Sequence, residues 1–471
     1  MAPRVTAKRI LIALAVAFTI YLFLPKTKAN SSSFFQTESS DLYAFAQRVL
    51  LVGSNLMETS QSHVIPGSRG VVYTGSGKSV PMTIMAVELL RETGCTLSVE
   101  FGLYTPLRTL ILKKGSHAAY LSEEMNQEQL DTLRAHNITP RDFLTPEIRT
   151  YNWQKEQLRL GAAKVDAILS SPFQQVLFLD PDVMPLRDPT HLFDTTAFKT
   201  TGALFWPDYK PTSSQNPIWK ITRQPYEFEF EFETGQIYLD KSRLSVIQGL
   251  TIAQFFCKHA ALYFQFIWGD KDAFRWGFKV SKAPYYLNRN QLVSVGVGVG
   301  LFTQRRGGVS LVPVSETLGT GLIDGFYSHV EFHGGSFSSW RGRYCGQNML
   351  QMDFNDNWAI SDDTFEPTPL FLHANGIKKF YYDEVPPFQI SQFYVVPKGK
   401  TLTELGVGGY TWIGKMRGQG HCGRLSWVKG LEIGHLDFAR AYPGVNERYM
   451  KARQKFMGPA VKGVKVGKDN K

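Results

Sequence analysis

The stretch QVLFLD at residues 175–180 constrains the fold more than any other, because its apolar side chains are consecutive rather than alternating. Such a strand is buried on both faces, as strands are in parallel sheets covered by helices. A helix is predicted before it, at residues 154–170, with Leu158, Val165 and Leu169 on one face. Two earlier strands, RGVVYTG and TLSVEFGL, flank a predicted helix, PMTIMAVELLRETG. This alternation predicts an α/β fold with a mixed, mostly parallel sheet flanked by helices, whose ligands bind beyond the carboxyl ends of the strands.

The net charge of +11 lies at the two ends of the chain. Residues 1–37 hold five basic residues and no acidic one, and from Lys451 onward seven basic residues stand against Asp469 alone. The body between them is formally neutral. A neutral body offers no general basic groove, so no nucleic-acid partner is expected.

The N-terminal segment ILIALAVAFTIYLFL, residues 10–24, is uncharged and almost entirely apolar, and it lies between two basic flanks. Its length gives about 22 Å of helix at about 1.5 Å per residue, which suits a thin early-secretory membrane. We predict a cytoplasmic tail at 1–9, a single-pass signal-anchor at 10–25 and a stem at 26–66. The body would then be lumenal, as in a type II membrane protein. The alternative is a cleaved signal peptide, for which Thr27-Lys28-Ala29 is a poor cleavage site.

Two further features fit a lumenal body. Glycosylation sequons begin at Asn30 and Asn137, and four widely spaced cysteines permit one or two disulfides or remain as buried thiols. Within the stem, an amphipathic helix is predicted from Asp41. Beyond the stem we predict a catalytic domain at 67–395 and a C-terminal extension with a basic tail at 396–471.

The stretch YTGSGKSV imitates a phosphate-binding loop, but its spacing is wrong. The Walker pattern requires a glycine five residues before Gly77, where this chain has Val72, and Pro81 follows almost at once. An ATPase is therefore not expected. The end of the first strand, Tyr73, Thr74 and Gly75, is still predicted to contact the nucleotide of a donor.

Asp180 and Asp182 follow the buried strand, at the sheet edge where such folds bind ligands. In an extended chain these two side chains would point the same way, with Pro181 stiffening the turn between them. Paired carboxylates suit a hard divalent cation, Mn²⁺ or Mg²⁺, that also holds two phosphate oxygens of a diphosphate leaving group. The alternative is an exposed turn after a core strand.

Further motifs follow in order: TTGALFWPDY (200–209), ETGQIYLDK (233–241), GDKDAFRWGF (269–278) and RYCGQNMLQMD (343–353). Together with VLFLDPDVMPLRDPTHLFD, they resemble the fungal alpha-mannosyltransferases of glycosyltransferase family 71 over residues 67–380. That family usually has serine where this chain has Thr234. The resemblance implies a GT-A fold, GDP-mannose as donor, Mn²⁺, a mannose-containing glycan or glycoprotein as acceptor, transfer with retention, and a Golgi membrane location.

Several site residues are implied by that resemblance. Glu233, Gly235 and Gln236 match the motif expected near the sugar and the acceptor, with Gly235 at the donor. Asp270 and Asp272 match the family's GDKD and would bond sugar or acceptor hydroxyls, since hydroxyl donors bond strongly to carboxylates. The alternatives for these two aspartates are a solvated turn or a helix N-cap, because GDKDAFRWGF also has the composition of a helix start.

The stretch LFLHANGIKKF resembles a pattern of the related glycogenin-like transferases. By that resemblance, His373 would complete the metal ligands, Gly376 would let the backbone approach the donor, and Lys379 would neutralise the diphosphate. Lys164, on the helix before the DPD strand, is a further candidate for donor binding. Three aromatic residues could stack on sugars, although most aromatic residues in such a chain belong to the core: Trp206, Tyr209 and Trp219.

Two other functions stay open at this point. The metal and diphosphate residues do not distinguish the sugar, so a retaining transferase that uses UDP-glucose or UDP-galactose is one alternative. A lumenal glycan-binding protein without turnover is the other. No nucleophile or general base is identified, and a front-side route assisted by the departing phosphate is favoured. The glycine-rich segment 292–325 is a loop over the site or a bulged strand pair.

Overall fold

A computed structural model of the chain describes residues 31–51, 57, 62–103, 125–142, 159–290, 292–298, 303–305, 308–310, 344–354, 368–375, 387–396, 400–416 and 420–458. The helices are α1 Ser31–Leu51, α2 Val80–Glu92, α3 Gln127–Ala135, α4 Arg159–Ser170, α5 Thr196–Thr201, α6 Ile218–Ile221, α7 Leu244–Lys258, α8 Ala260–Tyr263, α9 Asp270–Ser281, α10 Phe438–Ala441 and α11 Val445–Met457. The strands are β1 Ile65–Thr74, β2 Ser98–Leu103, β3 Ile138–Asp142, β4 Phe173–Leu179, β5 Val183–Pro185, β6 Ala203–Pro211, β7 Phe230–Asp240, β8 Tyr286–Leu287, β9 Val293–Gly298, β10 Thr303–Arg305, β11 Gly308–Ser310, β12 Tyr344–Met352, β13 Pro369–His373, β14 Ile390–Val395, β15 Tyr410–Met416, β16 Gly420–Leu425 and β17 Glu432–Asp437.

The first sheet has the strand order β3-β2-β1-β4-β7-β6-β8. Strands β3, β2, β1 and β4 run parallel to one another, β7 runs antiparallel between β4 and β6, and β8 is parallel to β6. The predicted mixed, mostly parallel sheet is confirmed. Its central strand β4 buries Val176 and Phe178 in one core and Leu177 and Leu179 in the other. The consecutive apolar run therefore fills a core on each face of the sheet.

A second, six-stranded sheet with the order β17-β14-β9-β12-β13-β5 is antiparallel throughout. The sequence did not predict this sheet. Its β9 comes from the start of the glycine-rich segment 292–325, and its β17 comes from the predicted C-terminal extension. The edge strand β5 begins at Val183, directly after the DPD motif, and pairs with β13, which ends at His373. This pairing joins the two sheets at the candidate site.

The predicted amphipathic helix forms part of α1. Leu42, Ala46 and Val49 are buried, and the Phe45 ring stacks on Phe255 of α7 with centroids 4.4 Å apart. Helix α1 therefore packs on the body, while the stem boundaries stay a prediction. Within the described ranges, no helix is long and apolar enough to cross a bilayer. The predicted anchor at 10–25 lies outside those ranges.

The predicted aromatic candidates belong to the core. Trp206, Tyr209 and Trp219 are all buried. The Trp206 Nε1 donates to the Met352 carbonyl at 2.8 Å, which ties the two sheets together. Two of the four cysteines are described in full: Cys95 is a buried free thiol, and Cys257 is also buried. A disulfide involving Cys345 or Cys422 stays a prediction.

Candidate active site

The DPD motif forms a hydrogen-bonded turn at the end of β4. The Asp180 amide donates to the Gly235 carbonyl at 2.7 Å, which extends the β4–β7 ladder, and the Val183 amide donates to the Asp180 carbonyl at 3.0 Å. The predicted turn at Pro181 is present, and the two aspartates do not lie on one extended strand. The reason is Pro181, whose fixed φ favours the second position of a β-turn. The turn still lets both aspartates face one point.

Asp180, Asp182 and His373 each offer one ligand atom, and these atoms all lie within 4.8 Å of one another. His373 is held there by the pairing of β13 with β5, which the Ala374 amide extends by donating to the Asp182 carbonyl at 2.8 Å. Its Nε2 lies 3.3 Å from the nearer Asp182 oxygen. We call these three residues the metal triad. Two carboxylates and an imidazole form a donor set for a divalent cation.

Glu233 fixes the orientation of the histidine. Its Oε1 lies 3.1 Å from His373 Nδ1 and also accepts the Gly235 amide at 2.7 Å. A carboxylate on Nδ1 is the usual way in which a protein directs the Nε2 of a ligating histidine toward a metal. Burial alone would lower the pKa of His373, but Asp182 and Glu233 outweigh it and raise that pKa to about 10. Burial opposes ionisation of Glu233, yet His373 and Lys164 hold its pKa at about 2.

Gly235 is required by the close packing around this pair. A Cβ at this position would lie 2.9 Å from His373 Nδ1 and 2.9 Å from a Val183 methyl carbon. Real Cβ atoms essentially never approach other atoms that closely. The glycine predicted at the donor thus also makes room for the imidazole of the metal triad.

Lys164 joins the DPD turn to the GDKD helix. Its Nζ lies 2.8 Å from an Asp180 oxygen and 3.0 Å from an Asp270 oxygen, and it donates to the Thr234 carbonyl at 3.3 Å. Burial opposes its charge, but the two aspartates raise the pKa of Lys164 above its ordinary value. Burial raises the pKa of Asp180, with Lys164 opposing the shift and Asp182 adding to it. The lysine is therefore a fixed positive charge beside the metal triad.

Helix α9 separates the two GDKD aspartates. Gly269, before its first turn, has φ +76°, a conformation that other residues rarely adopt. Asp270 faces Lys164, whereas Asp272 is buried and accepts the Trp268 amide at 2.7 Å. Asp270 contacts Lys164, which also contacts Asp180 of the metal triad. Asp272 lies in the first turn of α9 and bonds the backbone ahead of the helix, while the N-cap residue Gly269 has no side-chain cap bond.

Asp272 belongs to a second charged cluster that the sequence reasoning missed. The Lys271 Nζ lies 2.7 Å from Asp208, 2.8 Å from Glu231 and 3.5 Å from Asp272. Burial opposes the charge on Lys271, but these acids raise its pKa well above the ordinary value. Two members of this cluster belong to motifs that are visible in the sequence. Lys271 is the lysine of GDKD, and Asp208 is the aspartate of WPDY.

The other predicted site residues lie as follows. Tyr73 is fully buried in the core, and the Thr74 hydroxyl donates to the Gly102 carbonyl at 2.9 Å. A nucleotide-sugar donor would therefore meet the backbone of this strand end and Gly75 rather than these two side chains. Gln236 is fully buried, and neither atom of its amide has a hydrogen-bond partner among the residues that the structure describes. Gly376 and Lys379 lie outside those residues. The roles assigned to all of them stay predictions.

Comparison with known proteins identifies mannosyltransferases with similar sequences. A mannosyltransferase family model, Mannosyl_trans3, matches residues 68–229, which include the DPD turn and Lys164. The chain is 24% identical over 228 residues to the alpha-1,2-mannosyltransferase MNN21 of Candida albicans, covering 46% of this chain and 30% of that relative. It is 26% identical over 150 residues to the alpha-1,2-mannosyltransferase MNN5 of Saccharomyces cerevisiae, covering 30% of this chain and 22% of that relative.

The predicted resemblance to fungal alpha-mannosyltransferases is confirmed. The relatives are also enzymes of the predicted class, the glycosyltransferases. The chain spans less than a third of the length of these curated relatives. The family match ends at residue 229, so the motifs from Glu233 onward rest on the resemblance and on the geometry described above.

Solved structures with some likeness are also glycosyltransferases. The galactosyltransferase LgtC aligns with a TM-score of 0.30 and 16% identity, covering 46% of this chain and 73% of LgtC. Mouse xyloside xylosyltransferase 1 aligns with a TM-score of 0.30 and 12% identity, covering 47% of this chain and 84% of that structure.

Proposed function

We propose that this chain is a metal-dependent mannosyltransferase that moves mannose from GDP-mannose to a mannose-containing glycan or glycoprotein with retention. The observation that carries the proposal is the metal triad at the carboxyl end of β4, with Glu233 directing its imidazole. The similarity to fungal mannosyltransferases supports the sugar. We also propose a GT-A fold for the catalytic domain.

The residues present fit a divalent cation. The two carboxylates suit Mn²⁺ or Mg²⁺, and the imidazole favours a transition-metal ion such as Mn²⁺. The orphaned amide of the buried Gln236 also fits a site that a bound ligand or water completes. When bound, the cation would stabilise the negative charge that develops on the departing diphosphate.

Transfer breaks the bond between the anomeric carbon and the phosphate oxygen. A new bond forms to an acceptor hydroxyl oxygen, and the hydroxyl proton leaves with the nucleoside diphosphate in the front-side route. Lys164 contributes a permanent positive charge beside the donor phosphates. Asp270 is the carboxylate suited to sugar hydroxyls, because its side chain is 26% exposed while that of Asp182 is 7% exposed.

The proposed location is the Golgi membrane, with the catalytic domain lumenal and residues 10–25 as a type II anchor. Its support is the apolar segment with basic flanks and the similarity to fungal mannosyltransferases. Fusing residues 1–66 to a fluorescent protein and imaging the fusion beside Golgi and endoplasmic reticulum markers would test it. Diffuse cytosolic fluorescence would contradict the anchor.

The decisive variant for activity is Asp182→Asn, which keeps the shape of the side chain and removes its charge. We expect the wild type to release GDP from GDP-mannose in a Mn²⁺-dependent manner, and the variant to lose about a hundredfold or more of that rate. GDP with Mn²⁺ should raise the melting temperature of the wild type only. The matched control is Asp194→Asn, from the same motif but 56% exposed and paired with Arg69. Full activity in Asp182→Asn would contradict the metal assignment.

The donor is tested with a panel of nucleotide sugars. GDP-mannose should be consumed in preference to UDP-glucose and UDP-galactose, and analysis of the product should show an alpha-linked mannose. Preferred use of a UDP-sugar would keep the metal assignment and overturn the donor. Glycan binding without consumption of any donor would identify a non-catalytic glycan-binding protein instead.

A further inference from the structure

A cavity of about 340 Å³ lies apart from the metal triad, and no function has been assigned to it. It opens between strand β6 at residues 207–209, the segment 227–230, the residues 287–290 and 292, and the turn 401–404. Its volume falls within the range of about 300–1,000 Å³ that is typical of small-molecule pockets. Asp208 lines it and also bonds Lys271, so the second charged cluster forms part of its wall.

The lining of this cavity has the chemistry that recognises sugars. Phe228 is a partly exposed aromatic ring that meets the Phe230 ring edge-on, with centroids 6.1 Å apart. Asn290 is 91% buried, its Nδ2 donates to the Asp353 carbonyl, and its Oδ1 has no hydrogen-bond partner within the described chain. An aromatic face, an unsatisfied amide oxygen and several carboxylates can together bind the apolar faces and the hydroxyls of a sugar.

The charges around the cavity favour a neutral ligand. Asp208, Glu227, Glu229 and Glu404 line it, and Arg289 is the cationic side chain in the same lining. Two nearby lysines are engaged by these carboxylates: Lys271 binds Asp208, and Lys279 binds Glu227 and Glu229 at 2.8 and 2.9 Å. The four carboxylates outnumber Arg289, so the wall disfavours an anionic or phosphorylated ligand, whereas a neutral sugar would donate hydroxyl hydrogens to the carboxylates and accept from the guanidinium.

Strand β7 connects the cavity to the metal triad. Phe230 lines the cavity at the start of β7, and Glu233, which orients His373, follows three residues later. At about 3.3 Å per residue the two positions are about 10 Å apart along the strand. A ligand that occupies both places must span about this distance or more, which requires more than one sugar unit.

We propose that the cavity is a subsite for the outer sugars of a neutral oligosaccharide acceptor, whose end sugar is presented at the metal triad. This inference rests on the proposed function, and it specifies the acceptor as an oligosaccharide rather than a monosaccharide. The subsite contributes to the affinity for the acceptor and leaves donor binding unchanged. None of its lining residues is Lys164 or a member of the metal triad.

The test compares a long and a short acceptor on the full-length chain. Mannotetraose and methyl α-mannoside are titrated by calorimetry, and each is then used as acceptor with GDP-mannose and Mn²⁺. The wild type should bind mannotetraose at least tenfold more tightly than the monosaccharide. Phe228→Leu keeps an apolar side chain but removes the aromatic face, and Asn290→Ser shortens the amide. Each should remove most of this preference while leaving the KM for GDP-mannose unchanged.

Tyr226→Leu is the matched control, since Tyr226 is an exposed aromatic residue two positions from Phe228 that does not line the cavity. It should keep the wild-type preference for the longer acceptor. Equal binding of the two acceptors by the wild type, or an equal loss in Tyr226→Leu and Phe228→Leu, would overturn the subsite. Tight mannotetraose binding without any transfer would instead uphold the subsite and overturn the proposed function.

Discussion

Replacing Lys164 by methionine is expected to destabilise the metal-free protein and to strengthen its binding of Mn²⁺. Methionine has a similar length and no charge, so the variant removes the contacts of Nζ with Asp180 and Asp270 at 2.8 and 3.0 Å. Both aspartates then face each other without a cation between them. A divalent cation at the metal triad would restore positive charge next to Asp180.

The magnitude follows from these distances. At an effective dielectric constant of about 20, two opposite charges about 3 Å apart attract by about 5–6 kcal/mol. Burial of the ammonium group offsets several kcal/mol of this attraction, and removing one partner of a buried ion pair costs about 3–5 kcal/mol in measured cases. We therefore expect Lys164→Met to lose about 3–5 kcal/mol of the free energy of unfolding in the absence of metal.

The assay is urea unfolding of the wild type and the variant, each with EDTA and with increasing Mn²⁺. At a metal concentration of about a hundred times Kd, binding should add about 2.7 kcal/mol to the stability of either protein. The variant should reach this gain at a Mn²⁺ concentration at least about tenfold lower. A tenfold change in affinity corresponds to about 1.4 kcal/mol. This is a small part of the attraction to Asp180 and the repulsion of Mn²⁺ that disappear with the Lys164 charge.

Lys271→Met is the matched control. Its ammonium group also bridges buried carboxylates, Asp208 and Glu231, but it does not contact the metal triad. It should lose comparable stability and show the wild-type dependence on Mn²⁺. A Lys164→Met variant as stable as the wild type, or an equal effect of Mn²⁺ on both lysine variants, would contradict the role of Lys164 as the positive charge beside the metal triad.

Three further outcomes are expected. Glu233→Gln should weaken Mn²⁺ binding by about 10–100-fold in a calorimetric titration, because it removes the charge that orients His373, and unchanged affinity would contradict that role. Gly235→Ala should lose about a hundredfold in turnover, because its Cβ would displace the His373 imidazole, and wild-type kcat would show that the imidazole moves at no cost. Burial lowers the pKa of Lys241 to about 7, with Glu100 opposing the shift. Since unfolding then takes up a proton between about pH 7 and 10, the free energy of unfolding should rise with pH across that window by up to about 1.4 kcal/mol per pH unit. That rise should be absent in Lys241→Met in urea titrations at pH 7, 8 and 9.

The first sheet could be predicted from the sequence because its signals are local. The apolar run at 176–179 and the helical spacing before it identify β4 and α4 without any knowledge of distant residues. The DPD carboxylates could be placed at a strand end for the same reason. The attachment of this turn to β7 could not be predicted, because the bond from the Asp180 amide to the Gly235 carbonyl spans 55 positions of the chain.

The second sheet could not be predicted, because its strands pair over long separations and its register is set by partners rather than by composition. Strand β5 has three residues, and β9 is rich in glycine, so neither carries a usable strand signal alone. His373 was nevertheless placed correctly at the end of a strand, since an apolar run precedes it. Its contact with Glu233 spans 140 residues and has no counterpart in the local sequence.

The two lysines explain why neighbouring residues of one motif have different roles. Asp270 and Asp272 are two positions apart at the start of α9, and a helix turns by about 200° over two residues, so they face different sides of it. Lys164 meets the first and Lys271 reaches the acids around the second. One face of α9 therefore borders the metal triad, and the other supports the wall of the cavity. The GDKD motif thus joins the Lys164 cluster to the Lys271 cluster through a single turn of helix.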